Sequence, residues 1–223
     1  MVGFSFRQKI EILRRQLLGV TINYSKFDFK TSLINSLPYP VKWQKVNNYK
    51  KLYCEIGTGH GETLAHLASS HPDSLYIGFE ITAEYTRKTR NKIKTVPNAF
   101  AYKAEAYREI PYLFEKESLD GIYVLFPDPW HKKKHHKRRP LTAKWFTKVH
   151  SRLKPGGTIF FATDWEEYFA FVLEQAQKTS DHYSLELGVY TPEAFDLVPT
   201  YYYKKWQKVG GRKFQFIKLT RSR

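Results

Sequence analysis

The sequence predicts an α/β fold built on a mostly parallel sheet with helices on both faces. Short apolar runs alternate with longer helical patterns from residue 51 onward, seven such runs are present, and a glycine-rich turn joins the first run to the first helix.

The first run, LYCEI at 52–56, leads through the glycines to a helix from Glu62. LYIGFE at 75–80 precedes a helix from Thr82, and NAFAYKAE at 98–105 precedes a short one. LDGIYVLF at 119–126 is the fourth strand. A helix near 141–153, the strand GTIFFAT at 157–163 and a helix from Trp165 to Lys178 follow, and a closing pair near 182–188 and 212–219 completes a seven-stranded sheet. The main domain therefore runs over 51–223. Residues 1–50 form a basic extension in which Phe6, Ile10, Leu13, Leu17 and Leu18 fall near helical spacing and Gly19 supplies a stop, predicting an amphipathic helix over 5–18. Pro38, Pro40 and Asn47-Asn48 mark loops beyond it.

The 223 residues carry a formal charge of +16, and its distribution is uneven. Residues 1–51 hold ten Lys/Arg against two acids, residues 201–223 hold eight against none, and residues 52–200 balance at nineteen against nineteen. Basic ends suit a polyanion, because Lys and Arg that displace counterions from phosphates gain salt-sensitive affinity. The single cysteine, Cys54, excludes an internal disulfide, and no apolar run approaches the roughly twenty residues that span a bilayer. The amino terminus scatters charge through its apolar positions, unlike a secretory signal. These features predict a cytoplasmic protein with a nucleic-acid partner and no membrane association.

Glu55 precedes Gly57, Gly59 and Gly61 where the first strand runs into its helix. Alternate glycines let the backbone turn sharply and approach a ligand closely. Glu80 ends the second strand, where a carboxylate can accept from ribose hydroxyls, and Glu105 ends the third. The dinucleotide fingerprint spaces its glycines Gly-x-Gly-x-x-Gly and binds pyrophosphate, which a carboxylate beside the loop would repel. Three acids instead suit a cationic, phosphate-free ligand, and S-adenosylmethionine, with its sulfonium, ammonium and ribose, fits better than a nicotinamide dinucleotide. Any one acid alone would read as a strand-end cap.

Phe126 to Arg139 read FPDPWHKKKHHKRR. Pro127 and Pro129 restrict the backbone on either side of Asp128, which leaves the fourth strand on a stiff turn at the end where open α/β sheets bind ligands. Trp130 is either a stacking face for a base or a core residue. His131, His135 and His136 lie among lysines that would repel a metal ion, so no metal site is expected.

Together with EIGTGHG, the FPDPW run with its trailing cations and the TDW triplet at 163–165 resemble the bacterial-type tRNA (guanine-N7)-methyltransferases over about 51–216. The resemblance implies a Rossmann-like class I methyltransferase fold and methyl transfer from S-adenosylmethionine to a guanosine in the tRNA variable loop. It implies cofactor contacts by Glu55, Glu80, Glu105 and Asp128, with Asp128 also catalytic. Lys132 and Asp164 match substrate positions, and Lys134, His135, His136, Lys137, Arg138 and Arg139 match the RNA-contacting stretch. The family's Thr-x-Phe/Tyr-Glu substrate element aligns with 200–203, giving Thr200 but Tyr203 in place of glutamate. A phenol shares one hydrogen bond where a carboxylate accepts two from a guanine edge. A non-catalytic RNA-binding protein on the same scaffold, or a methyltransferase acting on another RNA base, is the alternative. The basic tail with Lys204, Lys205, Trp206, Lys208, Arg212 and Lys213 is either further RNA surface or the solvated face of a closing hairpin. The chain acts as a monomer or a homodimer.

Overall fold

The computed structural model describes residues 49–222, so the helix expected over 5–18 lies outside the described residues. The chain forms two compact units that divide after Glu115. Among the described residues the strands β1 (Lys51–Ile56), β2 (Ser74–Glu80), β3 (Ala99–Lys103), β4 (Leu119–Leu125), β5 (Leu153–Thr163), β6 (Tyr183–Val189) and β7 (Gln215–Arg221) follow the order β3-β2-β1-β4-β5-β7-β6 in one sheet.

The first unit alternates strand and helix without exception: β1 (Lys51–Ile56), α1 (Glu62–Ser70), β2 (Ser74–Glu80), α2 (Ala83–Lys92), β3 (Ala99–Lys103) and α3 (Ala106–Leu113). β1 pairs β2 and β2 pairs β3, both in parallel. All seven residues of β2 are buried, which is why SLYIGFE reads as a continuous rather than an alternating apolar run. Gly78 lies in its middle because a Cβ there would come within 2.6 Å of Thr58 and 2.7 Å of Leu64. The buried Asn98 amide donates to the carbonyls of Ala68, His71 and Ser74 at 2.8–3.0 Å, tying the end of α1 to the starts of β2 and β3.

The second unit contains β4 (Leu119–Leu125), a 3₁₀ helix (Lys133–Arg138), α4 (Ala143–His150), β5 (Leu153–Thr163), α5 (Glu166–Gln177), β6 (Tyr183–Val189), α6 (Tyr201–Val209) and β7 (Gln215–Arg221). β4 and β5 are parallel, whereas β7 runs antiparallel to both β5 and β6. Val124, Phe146, Leu153, Tyr168 and Ile217 are fully buried in this unit.

Two sequence expectations are corrected in this unit. The helix expected to reach 153 ends at His150, because the chain re-enters the sheet at Leu153 and then shifts register between Leu119 and Gly121 of β4. α6 was not expected. Thr200 caps it by accepting from the Tyr203 amide at 3.2 Å, and Gly210, at φ 76°, follows its last residue. Among the described residues no helix is long and apolar enough to cross a membrane.

Candidate active site

In the first unit the glycine turn leaves β1 with three left-handed residues, Gly57, Gly59 and Gly61, at φ 76°, 53° and 77°. Their reasons differ. A Cβ on Gly61 would lie 2.9 Å from Thr89 of α2, so this glycine serves helix packing. A Cβ on Gly57 or Gly59 would meet nothing within 4 Å, so at these two the backbone borders open space.

The turn is held from below. Gly57 N–H donates to the Phe79 carbonyl at 2.8 Å, and Thr89 Oγ1 donates to the Gly59 carbonyl at 3.1 Å. Glu80 accepts from Gly59 N–H on Oε2 at 3.1 Å and from the Thr82 amide and hydroxyl on Oε1 at 3.0 and 3.3 Å. Three of the roughly four acceptor positions of this carboxylate thus fix the turn, leaving about one for a ligand.

Glu55 is 4% exposed, and its Oε2 is buried without a hydrogen-bond partner. Burial first, then the negative charges of Glu62 and Glu80, hold its carboxyl well above the usual carboxylate range. A cationic ligand group would relieve both the unsatisfied oxygen and the repulsion. Glu105 faces solvent and pairs with Arg108 at 3.3 Å, an exposed contact of little energetic weight. The three acids are therefore unequal: two are buried at the turn, and the third is on the surface. S-adenosylmethionine fits this donor set. Open space above Gly57 and Gly59 admits it, Glu55 offers an unpaired acceptor for its ammonium, and Glu80 retains an acceptor for a ribose hydroxyl.

In the second unit β4 ends in a strained turn. Phe126 and Trp130, both non-glycine, are left-handed at φ 53° and 51°, and they bracket Asp128. Asp128 accepts from the Trp130 amide on Oδ1 at 2.8 Å, an Asx-type turn that leaves Oδ2 of an exposed carboxylate to a ligand. The Phe126 ring anchors the turn, stacked on Tyr202 at 5.4 Å and edge-on to Tyr190 and Phe214.

The basic run divides into two roles. Lys132, Lys133, Lys134 and Lys137 are exposed and have no partner among the described residues. Arg138 lies over Trp130 at 4.8 Å, His135 meets the same ring edge-on, and His136 lies 3.4 Å from Glu167. Trp130 is half-buried and is therefore not a core tryptophan. Arg139, expected among the RNA contacts, is instead buried: its side chain is 2% exposed, donates to the Pro129 carbonyl at 2.9 Å, pairs with Glu167 and lies over Tyr168 and Phe171. It holds the Pro-Asp-Pro turn from inside.

Asp164 follows β5 and is 4% exposed in its side chain. The Tyr202 hydroxyl donates to it at 3.2 and 3.4 Å, and Arg212 Nη1 donates to its Oδ2. The central carbon of the Arg212 guanidinium lies over the Trp206 ring, 3.4 Å from its centroid. Burial and the Asp164 charge push the Tyr202 phenol up to about 12, which keeps it a donor. Thr200 accepts the Tyr203 amide as the helix cap, and the Tyr203 ring is buried among Phe126, Tyr190 and Phe214, so no carboxylate stands at this position. Sequence reasoning missed Tyr202. It left Trp206 and Arg212 as either RNA surface or the face of a closing hairpin and expected no helix there, although the Thr200 cap signal and the Tyr202–Trp206 spacing of four were present.

The strand order with its antiparallel β7, and the glycine turn with acids at the ends of β1 and β2, define a class I S-adenosylmethionine-dependent methyltransferase fold. A family model described as "Putative methyltransferase" matches residues 49–216, and the chain belongs to that family. The chain is 37% identical over 172 residues to the tRNA (guanine-N(7)-)-methyltransferase of Thermus thermophilus, covering 75% of this chain and 54% of that protein. It is 42% identical over 125 residues to the enzyme of the same name from Cutibacterium acnes, covering 55% and 45%. The chain spans about half the length of the curated relatives it matches. In fold it is similar to the 16S rRNA methyltransferase KamB, at a TM-score of 0.57 and 14% identity over 78% of this chain and 89% of that one. A Thermotoga maritima S-adenosylmethionine-dependent O-methyltransferase superposes at a TM-score of 0.53 with 15% identity, over 78% and 60%.

Proposed function

We propose that this chain transfers a methyl group from S-adenosylmethionine to N7 of a guanosine in the tRNA variable loop, with residues 51–223 acting as one methyltransferase domain. The observation that carries the proposal is the buried, unpaired Oε2 of Glu55 beside the open backbone of Gly57 and Gly59, a setting for a cationic cofactor. The names of the curated relatives suggest the acceptor, and Lys132, Lys133, Lys134 and Lys137, exposed and without side-chain partners among the described residues, offer a surface for its phosphates.

S-adenosylmethionine would supply an electrophilic methyl on a sulfonium, the N7–carbon bond forming as the carbon–sulfur bond breaks and its electron pair stays on a neutral thioether, with the positive charge passing to the purine. Guanine N7 carries no proton at neutral pH, so no residue need act as a base toward it, and the chain's work is binding and alignment. Glu55 and Glu80 hold the cofactor's ammonium and ribose. Asp128, fixed by Phe126, Arg139 and its own turn, presents one carboxylate oxygen to offset positive charge as it grows on the purine. Lys132, Lys133, Lys134 and Lys137 grip backbone phosphates and position the RNA without reading its sequence. A cytoplasmic protein acting on tRNA as a monomer or homodimer fits this chemistry.

The test is to incubate the protein with labelled S-adenosylmethionine and bulk tRNA, digest to nucleosides and separate the labelled products. The expected product is 7-methylguanosine. Label in another nucleoside would assign a different base, and S-adenosylhomocysteine binding without any label in RNA would favour the non-catalytic reading.

A further inference from the structure

The second unit contains a guanine-reading problem. Position 203, where the resemblance would supply a carboxylate, holds a tyrosine that is 7% exposed and packed among aromatic rings. Asp164 is no less sealed, and two donors already hold it: the Tyr202 hydroxyl, shared between its two oxygens, and Arg212. Neither carboxylate chemistry at 203 nor an open carboxylate at 164 is available to a base.

Arg212 differs from both. Its polar partners among the described residues, Asp164 and the Tyr202 hydroxyl, are both met by Nη1. Among the described residues the N–H groups of Nη2 and Nε meet no acceptor, and the side chain is 22% exposed. The carboxylate on one nitrogen and the Trp206 ring against one face fix the plane of the guanidinium, so its remaining donors keep one direction. Such an arrangement suits a single carbonyl acceptor. Guanine carries one, O6, beside the nitrogen to be methylated, whereas adenine presents an amino donor at that place. A donor on O6 leaves the N7 lone pair free. The Asp164 charge offsets that of Arg212, so a cation is not left uncompensated near a purine that becomes cationic.

We propose that Arg212 is the specificity-determining residue that recognises guanine O6, and that Asp164, Tyr202 and Trp206 are positioning residues acting through it. This rests on the reading of the chain as a guanine-N7 methyltransferase.

The experiment compares the full chain with Arg212→Ala and Arg212→Lys on tRNA assembled with guanine, hypoxanthine or 2-aminopurine at the methylated position. Hypoxanthine keeps O6 but lacks the 2-amino group, and 2-aminopurine keeps the amino group but lacks O6. The reading is kcat/KM for methyl incorporation, expressed as the guanine to 2-aminopurine ratio so that intrinsic differences in N7 reactivity cancel between variants.

The expected result is a roughly 10- to 100-fold loss for Arg212→Ala on guanine and hypoxanthine, as for a hydrogen bond to a charged group, with no loss on 2-aminopurine. The ratio then collapses in Arg212→Ala and falls partway in Arg212→Lys, which keeps the pairing with Asp164 but loses the planar fork. Equal proportional loss on all three bases, leaving the ratio at its wild-type value, would overturn the proposal, because that is the signature of damage to the fold alone. Should Arg212→Ala fail to fold, the Arg212→Lys ratio decides by the same criterion. Absence of methylation of guanine tRNA by the wild-type chain would instead remove the underlying functional reading, a separate outcome.

Discussion

Glu55 and Asp164 are both carboxylates at the carboxyl ends of parallel strands, one in each unit, and both are nearly sealed from solvent. Glu55 has an oxygen with no partner and three acids crowded into its neighbourhood, counting itself with Glu62 and Glu80. Asp164 is paired on both of its oxygens by a phenol and a guanidinium. An unpartnered buried carboxylate costs stability and is retained where a ligand completes it, whereas a paired one fixes the groups around it. The first unit thus leaves a buried acceptor unsatisfied, which the proposed function assigns to a cationic group, and the second carries a preassembled frame.

Substitutions that separate these two roles follow, from the largest effect. Asp128→Asn keeps the turn, because an amide oxygen can still accept from the Trp130 amide, but it removes the charge that the proposed function sets against the purine. Turnover should fall about 10²- to 10³-fold while tRNA binding, measured by filter retention, is kept. Wild-type rates would remove Asp128 from the chemistry.

Asp164→Ala strips Arg212 and Tyr202 of their shared acceptor and should destabilise the fold by about 1.5–3 kcal/mol in denaturant unfolding. Glu55→Gln should act oppositely on the ligand-free protein. The folded-state pKa of Glu55 lies above its unfolded value, so the stability linked to its proton is present below the unfolded carboxylate range and lost as pH rises through the folded pKa. The melting temperature of Glu55→Gln relative to wild type should therefore climb as pH rises through that window, while S-adenosylhomocysteine binding weakens. In wild type the same binding should release a proton, read as a heat that varies with the ionisation enthalpy of the buffer. A pH-independent difference in melting temperature would contradict this account of Glu55.

The smallest effects concern the basic run. Lys134→Ala with Lys137→Ala should weaken tRNA binding and make its salt dependence shallower by about two in slope. Arg139→Ala should leave that slope unchanged and lower the melting temperature, since its guanidinium holds the Pro129 carbonyl and packs on Tyr168 and Phe171.

The same contrast explains what the sequence disclosed. The glycine turn and its acids are local to one strand–helix junction and to the ends of adjacent strands, so spacing alone located Glu55, Gly57, Gly59, Gly61 and Glu80. Strands β1 to β4 were legible because each is a buried run bounded by turn residues. Arg139 was not separable from Arg138, because a run of cations carries no mark of which one the chain turns inward. α6 was missed because YYYKKWQKV opens on three β-favouring aromatics, although Tyr202, Tyr203, Trp206 and Val209 fall at helical spacing and its capping threonine and trailing glycine mark the ends. The Asp164–Tyr202–Arg212 frame joins residues up to 48 positions apart and exists only through packing.

The most direct test of the account is a comparison of tRNA containing guanine at the target position with tRNA containing 7-deazaguanine, which replaces N7 by carbon and keeps O6, N1 and the 2-amino group. The account predicts equal binding of the two RNAs, methyl incorporation into the first and none into the second. Equal incorporation into both would contradict it, because the methyl group would then have another destination.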